Sequence, residues 1–386
     1  MPMPLSPEQL LIRRQQGDSS HAIRNIPISA RLFGLADNEA MTAAIRDLIG
    51  RHAILRTVFT ESDGVPVQEV LDVAAAPELE IKQVSEQAMA QVFNSAADHE
   101  FDLRSETPMR AHLFLNDQGL RTLLFVFHRI AFDNCSVNPL MNDLFAFYSA
   151  RVEGREPDMP TLSMQYADYA RSRCGTSEKI AFSEKTPESG PSETESHGIV
   201  SIRLNPGFHG RLLAFSKEAD VPIASILYAG FAVFLARLGL GDKAVFSILH
   251  SERSRFPELS MLIGNFETVL PLEISTRNNP SFREVVGCAA RSYEAACEHQ
   301  HQSDNYQNNE TGGNAIRFRT LFRLKPAGVE TFKYPVLNVH VNPVPVTETG
   351  FELVFDLMER IAPDGKPQGI EGSVIFDRNV FAPDME

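Results

Sequence analysis

The chain has no surplus of basic residues. Its 386 residues carry 36 Lys and Arg against 50 Asp and Glu, a net charge of −14. Broad binding to nucleic acid or to an anionic membrane needs a basic face, so neither partner is expected, although a local basic patch stays open. Cysteine is scarce. Cys135, Cys174, Cys288 and Cys297 form no CxxC pair and no zinc spacing, which points to free thiols in a reducing compartment. Long apolar runs are missing too. None reaches the roughly 18 residues of a membrane span. The longest candidate, 221-VPIASILYAGFAVFLARLGLG-241, contains Ser, Tyr and Arg and reads as a buried core helix. The opening MPMPLSPEQ lacks the charged-then-apolar order of a signal segment. A soluble, cytoplasmic protein is the expectation.

Several site signatures are absent as well. There is no G-x-S-x-G elbow, phosphate loop or dinucleotide glycine fingerprint, so no cofactor is expected. His299 and His301 lie two apart in 297-CEHQHQSDNYQNN-309 with no partner spaced to complete a metal site. They read as a solvated loop, as do Gly312 and Gly313. The Ser-rich stretch 182–196 is only a weak phosphorylation signal.

What is present suits two cores. The length fits two lobes of roughly 150–200 residues, and 43% hydrophobic with 22% charged residues is ordinary for a globular chain. Asp37 can cap a helix over 38–50, whose Met41, Ala44, Ile45, Leu48 and Ile49 recur at helical spacing. Strands are expected on both sides of Asp63-Gly64, then at 111–117 and 121–127 around Gln118-Gly119. Ser136 could cap the next helix, with Leu140, Leu144, Phe147 and Tyr148 on one face. Residues 174–198 are rich in Ser, Glu, Thr, Lys, Pro and Gly, and read as a linker between lobes 1–173 and 199–386. In the second lobe strand 199–204 leads to a helix with Asn205 as cap and Pro206 first. A buried helix near 223–238, strands 244–249 and 267–274, and a helix over 281–300 come next. Strands at 315–322, 336–342, 351–357 and 370–377 complete an α+β or α/β sandwich repeated twice.

The polar residues cluster in 124-LFVFHRIAFDNCSVNPL-140, where a strand should end and a helix begin. Around them the chain resembles the condensation domains of non-ribosomal peptide synthetases. The stretch 6-SPEQLLI-12 is similar to their Ser-x-Ala-Gln opening, with Glu8 for Ala. The stretch 51-RHAILRTVF-59 matches Arg-His-Glu-x-Leu-Arg-Thr-x-Phe except at Ala53. His-His-x-x-x-Asp-Gly aligns with 128-HRIAFDN-134, and Tyr-x-Asp-Tyr-Ala with 166-YADYA-170, without the usual following Trp. Ile-Gly-x-Phe-Val-Asn-Thr aligns with 263-IGNFETV-269, lacking the Val-Asn pair. The sixth motif survives only as 299-HQHQSDN-305.

The resemblance implies two chloramphenicol-acetyltransferase-like lobes set as a V, with carrier proteins delivering phosphopantetheine thioesters from opposite ends of a tunnel. It also implies that the second His of the third motif assists amine attack on the donor thioester. Position 129 holds Arg instead. Arg stays protonated, has no acceptor lone pair and cannot be a general base, although it could stabilise an oxyanion. His128 should point to the opposite face of an extended backbone and reads as a packed core histidine. By the resemblance Asp133 is structural and paired with an arginine, here assigned to Arg56. Asn134 stands where the family has Gly and adds bulk at the tunnel mouth.

Among condensation-like domains the His-Arg-x-x-x-Asp pattern resembles the X-domain of glycopeptide antibiotic synthetases, where the last position is usually acidic. That resemblance implies no condensation catalysis. It implies instead recruitment of cytochrome P-450 oxygenases to a peptide held on a peptidyl carrier protein by phosphopantetheine, where they cross-link aromatic side chains. Two alternatives stay open: an active condensation, acyltransfer or epimerisation domain using another base such as His128, and a gating domain that binds carriers alone.

Overall fold

A computed structural model describes residues 2–15, 25–34, 37–174, 197–239, 241–298, 320–325, 331–334, 337–343, 351–362 and 364–381. In chain order these form β1 (Met3–Pro4), α1 (Pro7–Gln15), β2 (Asn25–Phe33), α2 (Asn38–Arg51), β3 (Thr57–Ser62), β4 (Val65–Val70), β5 (Glu80–Gln83), α3 (Glu86–Ala97), β6 (Met109–Leu115), β7 (Arg121–His128), α4 (Val137–Glu153) and α5 (Tyr166–Arg173). Then come β8 (His197–Leu204), α6 (Pro206–Ala219), α7 (Ile223–Arg237), β9 (Lys243–Ser251), β10 (Glu267–Ser275), α8 (Phe282–Glu298), β11 (Thr320–Lys325), β12 (Thr331–Tyr334), β13 (Leu337–Pro343), β14 (Leu353–Ile361) and β15 (Pro367–Asp377).

Local chemistry explains most boundaries. The Asp37 carboxylate accepts from the Glu39 and Ala40 amides and starts α2, whose Met41, Ala44, Ile45, Leu48 and Ile49 are buried. Asp63 and Gly64 both adopt positive φ (52° and 77°), the backbone that a two-residue hairpin between β3 and β4 needs. Asn205 accepts from the Phe208 amide and Pro206 opens α6. Along β9 buried and half-buried residues alternate strictly, so Ala244, Phe246, Ile248 and His250 share the inner face. β7 is different: Leu123 to His128 are all buried, as befits a central strand covered on both faces. No single described helix is long and apolar enough to cross a membrane. In α7, Ile226, Tyr228, Ala229, Phe231, Ala232 and Leu235 lie in a core.

Contacts divide the chain into two units. The first comprises Met1–Gly175, Glu252–Glu267 and Val329–Val346; the second comprises Thr176–Ser251, Thr268–Gly328 and Thr347–Glu386. The first holds a six-stranded sheet in the order β12-β13-β2-β7-β6-β5 and a small sheet β1-β4-β3. The second holds a six-stranded sheet in the order β10-β9-β11-β14-β15-β8. Both large sheets mix parallel and antiparallel pairs. The expectation that 199–386 forms one contiguous lobe is thereby corrected. β13 pairs with β2 from Asn338↔Phe33 to Pro343↔Ile28, giving that strand's edge a partner drawn from late in the sequence. Of the expected linker, 175–196 lie outside the described residues, as do His299, His301 and the Gly312-Gly313 pair.

Candidate functional site

The site grows from the end of β7. Its last residue, His128, is buried and 1% exposed. The Ile130 amide donates to His128 Nδ1 at 3.1 Å. A neutral imidazole has a single lone pair, and here the backbone occupies it. In that contact Nδ1 is the acceptor. Phe101 meets the ring edge-on with centroids 6.0 Å apart. Arg129 is half-buried and, among the described residues, has no hydrogen-bond or ion-pair partner.

Asp133 organises the turn beyond β7. It caps a short 3-10 turn, Asn134–Ser136, and its Oδ1 accepts from the Ser136 amide (2.8 Å) and the Ser136 hydroxyl (2.7 Å). Oδ2 accepts from the Phe266 amide at 3.1 Å. The ion-pair partner is Arg253, whose Nη2 lies 3.1 Å from Oδ1, with both side chains almost wholly buried. Arg253 also donates to the Leu262 carbonyl (2.8 Å) and to Ser136 Oγ (2.8 Å), and its guanidinium sits 4.4 Å above the Phe266 ring.

The assignment of Arg56 to Asp133 is therefore corrected. The Arg56 guanidinium donates to the Leu71 carbonyl, and the Leu71 amide donates to the Arg56 carbonyl at 2.9 Å. Arg56 precedes β3 and Leu71 comes after β4, so the hairpin register brings them together. The only sequence hint of Arg253 was the charged run 252-ERSR-255 directly after β9; nothing in its spacing named Asp133. Ser136 is likewise not a side-chain cap for α4. Its hydroxyl serves Asp133 and bridges to Gly264, whose amide donates to it at 3.1 Å. Asn134 is half-buried and not among the residues with positive φ, so the turn does not require the freedom of glycine there.

The other recognised motifs close around this turn. Gln9 Nε2 donates to the Ile130 carbonyl at 3.4 Å. The Tyr166 hydroxyl donates to the Asn265 carbonyl (2.6 Å) and meets Ser6 Oγ at 2.9 Å. The Tyr169 hydroxyl donates to Glu8 Oε1 at 3.0 Å. Burial pushes the Glu8 carboxyl above its ordinary range, while hydrogen bonds from Ser6 and Tyr169 oppose the shift. Burial also drives the Tyr166 hydroxyl far up, so it stays a donor. Gly264 explains its own identity: a Cβ there would stand 2.1 Å from Tyr166 Cδ2 and 2.9 Å from the Phe266 ring. In the second motif, Arg51 Nε and His52 Nε2 each lie 2.7 Å from Asp143 Oδ2 of α4. Burial lowers the His52 pKa, against the pull of Asp143. Among the described residues, no group of His, Cys, Asp and Glu is arranged to hold a metal ion.

The arrangement is thus a buried scaffold around a strand-to-turn junction that carries a permanent cation, Arg129, without an ion-pair partner among the described residues. It can present that charge, and Arg129 itself cannot take up a proton.

The profile of the condensation-domain family matches residues 2–308. A non-canonical non-ribosomal peptide synthetase of Salinispora arenicola is 29% identical over 413 residues, covering 99% of this chain and 5% of that protein. A dimodular non-ribosomal peptide synthase of Bacillus subtilis is 30% identical over 389 residues, covering 92% of the chain and 16% of that protein. The chain thus spans only a small fraction of either relative. Among solved structures, the complex of the X-domain and OxyB from teicoplanin biosynthesis is similar at 26% identity and a TM-score of 0.78, covering 99% of this chain and 90% of that one.

Proposed function

The chain belongs to the condensation-domain family, and from that premise we propose that it is a silent member: a docking platform for cytochrome P-450 oxygenases acting on a carrier-bound peptide. The observation that carries this reading is the pair at the end of β7. Arg129 stands where the family's base should be and cannot accept a proton. His128, its neighbour in the chain, accepts a backbone hydrogen bond at Nδ1. Amide formation from a thioester requires the attacking ammonium to lose a proton, and neither residue takes it. A half-buried guanidinium also repels a cationic amine.

The likeness to an X-domain solved together with OxyB supports the positive half of the proposal. A scaffold retained without its base is useful as a surface, and a polar interface of about 800 Å² per partner suffices for a specific complex. The partners on this reading are an oxygenase and a peptidyl carrier protein bearing a phosphopantetheine-linked peptide.

The test has two arms. The chain is first mixed with carrier-loaded donor and acceptor, and amide product is measured; none above the uncatalysed level is expected. It is then titrated with candidate oxygenases, with and without peptide-loaded carrier, and saturable binding is expected. Turnover that vanishes in His128→Ala would overturn silence and restore the second reading, an active condensation or epimerisation domain. That second reading draws on the peptide synthetases among the sequence relatives. Carrier binding without any oxygenase binding would leave a gating domain and sink the recruitment half.

A further inference from the structure

A separate feature lies at the far edge of the first unit's large sheet. β5 is the edge strand and pairs in parallel with β6, placing Glu80 opposite His112 and Lys82 opposite Phe114. Alternation along strands puts Glu80 and Lys82, and also Arg110, His112 and Phe114, on one sheet face. α3 covers this face. At one end the layer is an ordinary small core, in which Val84, Phe114, Leu124 and Val126 meet Met89, Val92 and Phe93 of α3. At the other end the equivalent positions are polar. Here a cavity of about 490 Å³ is lined by Glu80, Lys82, Gln91, Ser95, Arg110 and His112, among others. That volume is in the range of small-molecule sites.

Two buried polar groups in this layer are short of hydrogen-bond partners. His112 is 4% exposed, and neither ring nitrogen has a hydrogen-bond partner among the described residues. Glu80 Oε2 comes within 3.3 Å of Nδ1 but outside hydrogen-bond geometry, and that carboxylate is already held by Lys82 at 2.6 Å. The ring lies parallel to Phe114, with centroids 5.8 Å apart. Burial keeps the His112 pKa down despite Glu80, so the ring is neutral and retains one N–H. Arg110 Nε is the second. Glu106 engages only the Nη2 end of that guanidinium, at 3.1 Å, and Nε is buried without a partner among the described residues. Leaving a buried donor unsatisfied carries a desolvation penalty, so Arg110 Nε, with the His112 ring two residues on along the same strand, calls for an acceptor. The remaining lining adds further donors, the Gln91 amide, the Ser95 hydroxyl and the Lys82 ammonium paired with Glu80, while Glu106 brings a second carboxylate to Arg110 from beside the cavity. His99, also in the lining, is held by Glu106 at 3.1 Å.

We propose that this cavity between α3 and the β5–β6 edge binds a small oxyanion, a phosphate or carboxylate group that accepts from Arg110 Nε and the His112 ring. A bidentate acceptor suits a guanidinium edge, and charge-assisted hydrogen bonds are the strong ones in a partly desolvated site. The proposal uses no residue of the β7 turn and stands whether or not an oxygenase docks.

The experiment titrates the full chain with inorganic phosphate and, separately, with acetate, by calorimetry and by following carbon-13-labelled histidine rings. Saturable binding of at least one probe is expected, with the His112 resonance moving, and which probe binds tells phosphate from carboxylate. Arg110→Gln should weaken that binding about tenfold or more, a loss of about 1.4 kcal/mol. His112→Gln should do the same; should it not fold, the less buried Arg110→Gln decides alone. No saturation with either probe, or affinity unchanged in the folded variants, overturns the proposal.

Discussion

Arg253 and Asp133 stand 120 residues apart in sequence and 3.1 Å apart in the fold, both side chains almost wholly buried. Around that pair the third and fifth family motifs meet, because Asp133 also accepts from the Phe266 amide and Ser136 bridges to Gly264. Asp133 thus acts on architecture: it spends its oxygens on one turn and one facing loop.

Removing one partner of a buried ion pair strands the other's charge. Arg253→Ala should therefore cost about 3–5 kcal/mol in denaturant unfolding. Arg56→Ala should cost less, about 1–3 kcal/mol, because it frees only the Leu71 carbonyl. The reverse ranking would show that Arg56, not Arg253, supports the turn.

Gly264→Ala tests the packing of the fifth motif against the fourth. The added methyl would overlap Tyr166, whose hydroxyl is held by Asn265 and Ser6 and whose ring cannot retreat without breaking those bonds. Overpacking of about 1–3 kcal/mol is expected, read as a lower midpoint in thermal unfolding. An unchanged midpoint would mean that Tyr166 has space to move.

His128→Ala separates structure from chemistry. The substitution removes a buried ring that satisfies the Ile130 amide, so stability should fall by about 1–3 kcal/mol. Amide formation from loaded carriers should be the same in both proteins. A turnover difference larger than the folded fraction explains would make His128 a base.

Glu8 gives a pH signature. Burial raises its folded pKa above the ordinary 4.5, so the folded state holds this proton more tightly than the unfolded chain. Its contribution is fully present below pH 4.5 and is lost as pH rises through the folded pKa. Glu8→Gln stays neutral and can still accept from Tyr169. It should melt higher than the parent at neutral pH, with the gap closing below pH 4.5. A gap that widens on acidification would reverse the sign and place a charged carboxylate in the folded protein.

The family itself was legible from motifs in order along the chain, and much of the local structure from chemistry within a few residues. Asp37 and Asn205 cap helices through amides two and three residues on, and Asp63-Gly64 turns a hairpin by its own backbone preference. A strand was expected at 244–249, but its buried face is shown only by the burial along β9. The short helices α1, α3 and α5 went unanticipated. In α1, with buried Glu8 and Gln9, polar side chains face inward, which hides the apolar period.

The candidate site divides along the same line. That Arg129 cannot be a base is a property of the side chain alone, in any fold. What His128 meets is decided by tertiary structure, since Nδ1 accepts from the Ile130 amide only once the chain turns after β7. The partner of Asp133 is tertiary too. Arg56 and Arg253 are equally good cations on paper, but hairpin register draws the first to Leu71 while the second reaches Asp133 across 120 residues. Short-range preferences reside in neighbouring residues and can be read there; a long-range pair has no local signature, because its geometry exists only after the sheets and loops between its members have folded.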